Sequence, residues 1–419
     1  LVRLYLLNVG TGKLTCAQEA AIKDAILNWK FWLDEPNTTY VEMWTENHQI
    51  LNHSIEYLAG QTFPDDVFTN NGQTGRWHME HGRALLLQWN ELRARTGFSE
   101  WDSETYYPED LAPLLNLVDF ANDPDVSTRA AMLVDVLLFD TAVDSFYGQF
   151  ATSHGRVTAG SIKSANGSMT TINTLAWGQG KFTSTNNMGA VALATSRKYE
   201  VPPVIQALAL DNPEEYLNYE RHSFNIEDAS HYGMDINNIN DIPRFWGMGA
   251  FTVPDVITQT IDTADTWDLW HYPDFKDLKD IAKILQAVNG LPLASRLLDP
   301  DSNGVYTGEV NKVTYRTPDY LLSSAQSFRP GGKGYQQHIW QATLSPYAVV
   351  FTTNPDSMRS DDSQRPSYWM GNGRQPRTAQ YKNLLIALYD IPRYKSAPKP
   401  LEARHYAFTH AYFPKWAFD

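Results

Sequence analysis

The sequence predicts a mostly helical N-terminal (α/α) toroid or barrel over residues 1–300, followed by an antiparallel β-rich module over residues 301–419. Apolar residues recur at helical spacing through the first third of the chain. Beyond residue 305, strand-like segments rich in β-branched and aromatic residues replace them. Because the helices precede the strands instead of alternating with them, we expect two modules that meet near residue 300.

Five segments within the first 150 residues carry the helical pattern, and they are 16–33, 40–59, 77–95, 109–121 and 125–147. The last contains the run AAMLVDVLLFDTAV, whose apolar character nearly all round predicts burial on both sides. Long helices joined by short or medium loops, without strands between them, favour a toroid or a solenoid.

The middle of the chain, residues 150–250, is predicted to be loop-rich because glycines recur through it, and loops this long are usually functional. Helical spacing returns at 255–266, 276–289 and 292–299. The predicted strands beyond residue 305 are VYTGEV, KVTYRT, YLLSSAQSF, HIWQATL and YAVVFTT. Residues 378–390 fit either one more helix or a strand.

Composition narrows the class of protein. Of 419 residues, 42% are hydrophobic and 20% are charged, which is typical of a globular chain. No apolar run reaches the roughly 18 residues of a membrane span, and the net charge of −14 disfavours a nucleic-acid partner. An aromatic share of 13% is typical of proteins that stack sugar rings, or of a large aromatic core. Both ends look trimmed, so we expect a signal peptide and a C-terminal module beyond them.

The segment from Trp44 to Gln49 combines polar residues with a helical stripe of apolar ones. Asn47 and His48 both fall on that stripe, where a polar side chain must be hydrogen-bonded. Two interpretations stay open: the pair joins neighbouring helices, or it binds a carboxylate in a cleft.

A second candidate is the loop from Trp101 to Pro108, which brings Glu104, Tyr106 and Tyr107 close together in sequence. Loops carry function more often than packed helices do. The alternative is a solvent-facing aromatic loop.

Two further pairs follow glycine-rich segments. His154 and Arg156 flank a glycine after the apolar helix, where they could hold an anion or satisfy the last carbonyls of the helix. His231 and Tyr232 precede Gly233 and would suit proton transfer, or be ordinary loop residues. We find no phosphate loop, nucleophile elbow, metalloprotease motif or trusted metal-ligand spacing, so we expect neither metal nor cofactor.

Together these features resemble the toroidal polysaccharide lyases of the alginate lyase, glucuronan lyase and heparinase II/III-like types. The resemblance rests on Asn47-His48, the Tyr106-Tyr107 loop, His154-x-Arg156 and the switch to β-rich sequence. Such lyases pair an (α/α) barrel with antiparallel sheets and cleave uronic-acid-containing glycans by β-elimination. The resemblance therefore implies an anionic polysaccharide partner. The net charge and the absence of a long apolar run predict no nucleic acid or membrane partner, and we expect a secreted or periplasmic location.

The resemblance also implies roles. Asn47 and His48 would neutralise the uronate carboxylate, assisted by His154 and Arg156. Tyr107, or else Tyr232, would be the acid and base, with His231 in reserve. The residues expected to contact substrate are Trp44, Glu46, Trp101, Glu104 and Tyr106.

Two other functions remain possible from the sequence. An inverting glycoside hydrolase would need two carboxylates about 6.5–9.5 Å apart, for which Glu46, Asp102 and Glu104 are candidates. A non-catalytic glycan-binding protein would use the aromatic loops for stacking, and its polar clusters would be structural.

Overall fold

The computed structural model describes residues 1–36, 41–184, 187–276, 279–359, 363–391 and 406–418, without the side chains of residues 274 and 300. The α-helices within these ranges are α1 (Val2–Asn8), α2 (Cys16–Leu27), α3 (Glu46–Thr62), α4 (Gly75–Thr96), α5 (Tyr107–Phe120), α6 (Pro124–Val143), α7 (Met169–Trp177), α8 (Met188–Ala194), α9 (Pro203–Leu210), α10 (Ile242–Gly247), α11 (Ile257–Thr266), α12 (Pro273–Lys276), α13 (Lys279–Ala287) and α14 (Leu291–Ser302). Among these described helices, none is both long enough and apolar enough to cross a membrane.

The strands pair antiparallel. They are β1 (Ser145–Phe146), β2 (Gln149–Phe150), β3 (Tyr216–His222), β4 (Val310–Arg316), β5 (Leu321–Ala325), β6 (Trp340–Thr343), β7 (Val349–Thr353), β8 (Arg377–Tyr381), β9 (Leu384–Leu388) and β10 (His410–Tyr412). One six-stranded sheet has the order β10-β7-β6-β5-β4-β3, while β1-β2 and β8-β9 form two hairpins.

The order of a helical part followed by an antiparallel sheet is confirmed, and closure of the helices into a toroid stays a prediction. Two details of the sequence prediction are wrong. Strand β3 comes from the region predicted as loops and forms the sheet edge by pairing Tyr216 with Arg316 and His222 with Val310. The segment VYTGEV is not a strand before Val310. Residues 378–390 contribute to a hairpin, the strand alternative.

Capping residues that are recognisable in the sequence mark the ends of the long helices. Thr15 and Gln18 form a capping box at the start of α2, and Thr74 accepts the Trp77 N–H at the start of α4. Helix α4 ends at Gly97, whose φ of +67° favours glycine. Helix α6 is not buried all round as predicted, because Met132 and Phe139 are exposed.

Buried apolar side chains form separate clusters. One packs α3 to α6 together around residues such as Ile50, Leu114 and Leu137. Another surrounds Trp44 and Trp246 with side chains from α10 to α14. The start of α3 lies where these two clusters meet, since Ile50 belongs to the first and Trp44 to the second.

A buried ion-pair network joins the sheet to the helices. The Lys312 ammonium on β4 contacts Asp102 before α5, Asp144 at the end of α6, and Glu220 on β3 at 2.9 Å. We call these four residues the Lys312 cluster. Because Lys312 lies on β4 and contacts Asp102 of the helical part, it ties the loop that precedes α5 to the sheet.

Candidate functional site

A cavity of about 840 Å³ lies at the start of α3. One side is apolar and is formed by side chains such as Trp44, Trp246 and Phe275, with others from α11, α13 and α14. The other side is polar, and its residues come from segments far apart in sequence: Glu42, Thr45, Glu100, Arg156, Tyr335, Ser363 and Arg365. A deep apolar surface with a few converging polar groups is typical of a small-molecule or glycan site.

Arg156 organises the polar side. Its Nη1 forms an ion pair of 2.8 Å with Glu100, and its Nη2 donates a hydrogen bond of 3.2 Å to the Tyr106 hydroxyl. The guanidinium also lies 5.1 Å above the Tyr106 ring. The Ser103 hydroxyl donates to the Arg156 carbonyl (2.8 Å), which fixes the two loops to each other.

Burial sets the protonation of these groups. It raises the pKa of Glu100 to about 7, although Arg156 opposes the rise. Burial also raises the pKa of Tyr106; Arg156 opposes that rise and Glu100 adds to it. The state of Tyr106 is therefore linked to the charge on Glu100.

Asn47 and His48 form a second polar network beside this one. The Asn47 amide donates to Glu109 at 2.5 Å, and the Thr45 hydroxyl donates to the Asn47 oxygen at 2.8 Å. This leaves His48 Nδ1 to donate to the Thr45 oxygen at 2.5 Å. Asn47 is 1% exposed and both ends of its amide are paired, so its geometry fits the helix-joining interpretation. Burial raises the pKa of Glu109 and lowers that of His48.

Tyr107 and His154 do not line the cavity. The Tyr107 side chain is fully buried, packs against Phe98 and Phe150, and faces Asp102 at 3.5 Å. Burial raises the pKa of Tyr107 well above its ordinary value. Among the described residues, its hydroxyl also contacts the buried Asp102 and no residue of the cavity lining, so we do not retain Tyr107 as the base. His154 is buried with Nδ1 2.5 Å from the Asp102 carbonyl, and burial lowers the pKa of His154 to about 4.

The second proton-transfer pair also lies away from the cavity lining. His231 and Tyr232 belong to a 3-10 segment, Ile226–Tyr232, where the His231 side chain is 77% exposed. The His231 carbonyl accepts a hydrogen bond from Arg95, and Tyr232 packs against Phe224. These contacts fit the alternative of ordinary loop residues.

Most residues expected to contact substrate have structural partners. Trp44 lines the cavity. In contrast, Glu46 is buried against Arg93 and the Ser99 N–H, and Trp101 packs under Phe328. Glu104 accepts the Met169 N–H at 2.8 Å in the interior. Asp102 belongs to the Lys312 cluster. Glu46, Asp102 and Glu104, the three carboxylates considered for a hydrolase, are therefore all buried and none of them lines the cavity.

The sequence analysis missed several groups of the polar side, namely Glu42, Glu100, Tyr335 and Arg365, and it missed Glu109 of the neighbouring Asn47 network. Glu100 and Glu109 flank the Trp101–Pro108 loop, so extending that segment by a few residues would have included them. Tyr335 and Arg365 come from loops beyond residue 330, and no local pattern connects them to residue 156.

Comparison with known proteins finds no relative of this chain. No family model matches the chain, and no curated protein or solved structure is significantly similar to it. The chemistry of the cavity is therefore interpreted from its own geometry.

Proposed function

We propose that the protein is a polysaccharide lyase that cleaves a uronic-acid-containing glycan, such as alginate, glucuronan or a glycosaminoglycan-like polymer, by β-elimination in this cavity. The supporting observation is the 3.2 Å hydrogen bond that Arg156, a residue of the cavity lining, donates to the Tyr106 hydroxyl behind it. We also propose that the helices form an (α/α) toroid and that the protein is secreted or periplasmic, as in the lyases that it resembles.

Tyr106 replaces Tyr107 as the acid and base in this proposal. The Tyr106 phenolate takes the C5 proton of the uronate, and the C–H electron pair forms the C4=C5 double bond. The C4–O bond to the departing sugar breaks, and its oxygen takes the same proton back from Tyr106. No water is consumed and the phenolate is regenerated.

Arg156 supplies positive charge where the uronate carboxylate gains electron density. An incoming carboxylate competes with Glu100 for Arg156 Nη1, and its negative charge favours the protonated form of Glu100. A protonated Glu100 could donate a hydrogen bond to the carboxylate and would also favour ionisation of Tyr106. Asn47 and His48 act indirectly in this scheme. Asn47 donates to Glu109 directly, and His48 supports Asn47 through the Thr45 hydroxyl.

The test compares two neighbouring tyrosines, each of which loses only a hydroxyl. Uronate polymers are incubated with each variant, and the conjugated double bond of the product is followed by ultraviolet absorbance. We expect Tyr106→Phe to lose about 10²–10⁴ in turnover, the usual contribution of a general acid or base. Tyr107→Phe should stay within a few-fold of the wild type once both are corrected for folded protein.

The opposite ranking of the two variants would contradict the assignment to Tyr106. Binding of uronate polymers without any turnover by the wild type would instead favour a glycan-binding protein.

An inverting hydrolase is the second candidate, because Glu100 lines the cavity and burial raises its pKa to about 7. Glu100 would then serve as the general acid, as hydrolysis requires. This function predicts new reducing ends without a double bond, and loss of activity in Glu100→Gln with little effect of Tyr106→Phe.

A further inference from the structure

We infer that the protein binds a divalent transition metal ion, best matched by Zn²⁺, between α3, α4 and the segment that follows α2. The ligands are Glu35, Glu56, His78 and His81, which we call the Glu56 cluster. One ligand atom each of Glu35, Glu56 and His78 lies within 4.8 Å of the others, and these three side chains are buried. The four residues do not line the cavity, so the inference is independent of the proposed lyase activity.

The hydrogen bonds of His78 turn its Nδ1 toward the cluster. His78 Nε2 lies 3.0 Å from the Asn71 side-chain oxygen, which only accepts, so Nε2 carries the proton. Nδ1 then faces a Glu56 oxygen across 2.8 Å. Either a second proton on His78 or a bound cation lies between these two atoms, and a metal ion would take the place of that proton.

His81 brings a second imidazole to the same carboxylate. Its Nδ1 lies 2.9 Å from Glu56 Oε1, the atom that also faces His78. His81 Nε2 lies 3.4 Å from Asp34, and a carboxylate on the outer nitrogen is a usual support for a metal-ligating histidine. Burial lowers the pKa of His81, but Asp34 and Glu56 outweigh it and raise that pKa to about 10, so a metal ion at Nδ1 would displace a proton. His78 and His81 are three residues apart on α4, so they share one face of the helix.

An unpaired oxygen gives independent evidence for a ligand. Glu56 is 0% exposed, and its Oε2 has no hydrogen-bond partner within the described part of the chain. A buried carboxylate oxygen without a partner is costly, and a metal ion would remove that cost. Glu35 is held in place by the Phe31 N–H (3.1 Å) and the Asn70 amide (2.6 Å), each on a different oxygen.

The donor set suggests the ion and its role. Two carboxylates and two imidazoles match the nitrogen and oxygen ligands of Zn²⁺, while Mn²⁺ and Fe²⁺ also accept such sets. Four protein ligands in a buried place are typical of a structural site, which would clamp α3 to α4. The inference departs from the sequence expectation of no metal, because the ligands come from three segments with no recognised spacing.

The experiment measures binding of Zn²⁺ to the whole chain by calorimetry after treatment with a chelator. We expect one equivalent to bind, and Glu56→Gln and His78→Gln to weaken binding at least about 100-fold. Glu80→Gln is the matched control, since Glu80 lies on the same helix but is exposed. Its affinity should equal that of the wild type.

A second measurement covers the case in which the ligand variants fail to fold. Co²⁺ added to the wild type should give the visible bands of a nitrogen-ligated ion, and His81→Gln should shift them. The inference is overturned if the wild type takes up no Zn²⁺, if affinity survives in both Glu56→Gln and His78→Gln, or if Co²⁺ shows only the spectrum of the hydrated ion.

Discussion

The Lys312 cluster and the Glu56 cluster bury carboxylates in similar ways but neutralise them differently. In the Lys312 cluster the cation is an ammonium on β4, which contacts Asp102, Asp144 and Glu220. In the Glu56 cluster the facing groups are imidazole nitrogens from α4. Because the Lys312 ammonium is part of the chain, it cannot leave the contact between the sheet and the helices. Imidazoles, in contrast, can bind an ion that exchanges with solvent. The difference indicates which cluster serves docking and which could serve a ligand.

The largest effect should come from removing the built-in cation. Lys312→Met leaves buried carboxylates without their counter-charge, and breaking such a pair costs about 3–5 kcal/mol. We expect unfolding at a markedly lower denaturant concentration, or no folding at all. Exposed Lys198 provides the control, since Lys198→Met should change stability by no more than about 0.5 kcal/mol.

A rescue experiment separates charge from packing. Adding Asp102→Asn and Asp144→Asn to Lys312→Met removes the uncompensated charges, so part of the stability should return. If Lys312→Met unfolds at the denaturant concentration of the wild type, the Lys312 cluster does not tie the two parts together.

Glu104 is a buried carboxyl that, unlike those of the two clusters, faces neither an ammonium nor an imidazole in the parts of the chain that the structure describes. Its described partners are the backbone N–H groups of Met169 and Gly167. Burial raises the pKa of Glu104 to about 8 from an ordinary 4.5. Between these pH values the folded chain keeps a proton that the unfolded chain releases. The stabilising contribution is therefore complete below pH 4.5 and is lost as pH rises to about 8, by at most about 1.4 kcal/mol per unit.

Glu104→Gln removes this titration and keeps an oxygen for the Met169 N–H. The stability of the variant relative to the wild type should therefore increase between pH 5 and 8, as measured by denaturant unfolding at several pH values. A constant difference across this range would mean that Glu104 does not stay protonated in the fold.

Elements with local signals were largely predictable from the sequence. Helix α4 was expected over 77–95 and spans 75–96, because Thr74 and Gly97 mark its ends. Strand β3 was missed because it depends on pairing with β4, about a hundred residues later. Its own sequence, YLNYERH, is polar and charged and lacks a clear strand pattern.

The site was predictable only in part, for reasons of geometry. Tyr106 and Tyr107 are adjacent, and α5 begins between them, so which tyrosine faces the core depends on how that helix packs. The Asn47 contact with Glu109 joins residues 62 positions apart. Sequence reasoning could identify the segments around these residues, but it could not indicate their mutual orientation.

The smallest expected effect distinguishes Asp144 from Glu220, two acids of the Lys312 cluster that both contact the Lys312 ammonium. Burial alone would raise the pKa of Asp144, but the Lys312 ammonium and hydrogen bonds outweigh it, so that pKa is lowered. Burial and the Asp144 carboxylate raise the pKa of Glu220 well above its ordinary value. The charged form is thus favoured at Asp144 and the protonated form at Glu220.

Neutral isosteres should therefore have unequal costs. Asp144→Asn removes a charge-assisted contact, for which we expect a loss of about 1.5–3 kcal/mol in the free energy of unfolding at pH 7. Glu220→Gln replaces one neutral group with another and should cost less than about 1 kcal/mol, although Glu220 Oε2 lies 2.9 Å from the ammonium. Equal losses in the two variants would show that Lys312 shares its charge evenly among its neighbours. A larger loss for Glu220→Gln would reverse the assignment, since the sheet strand rather than the end of α6 would then carry the counter-charge.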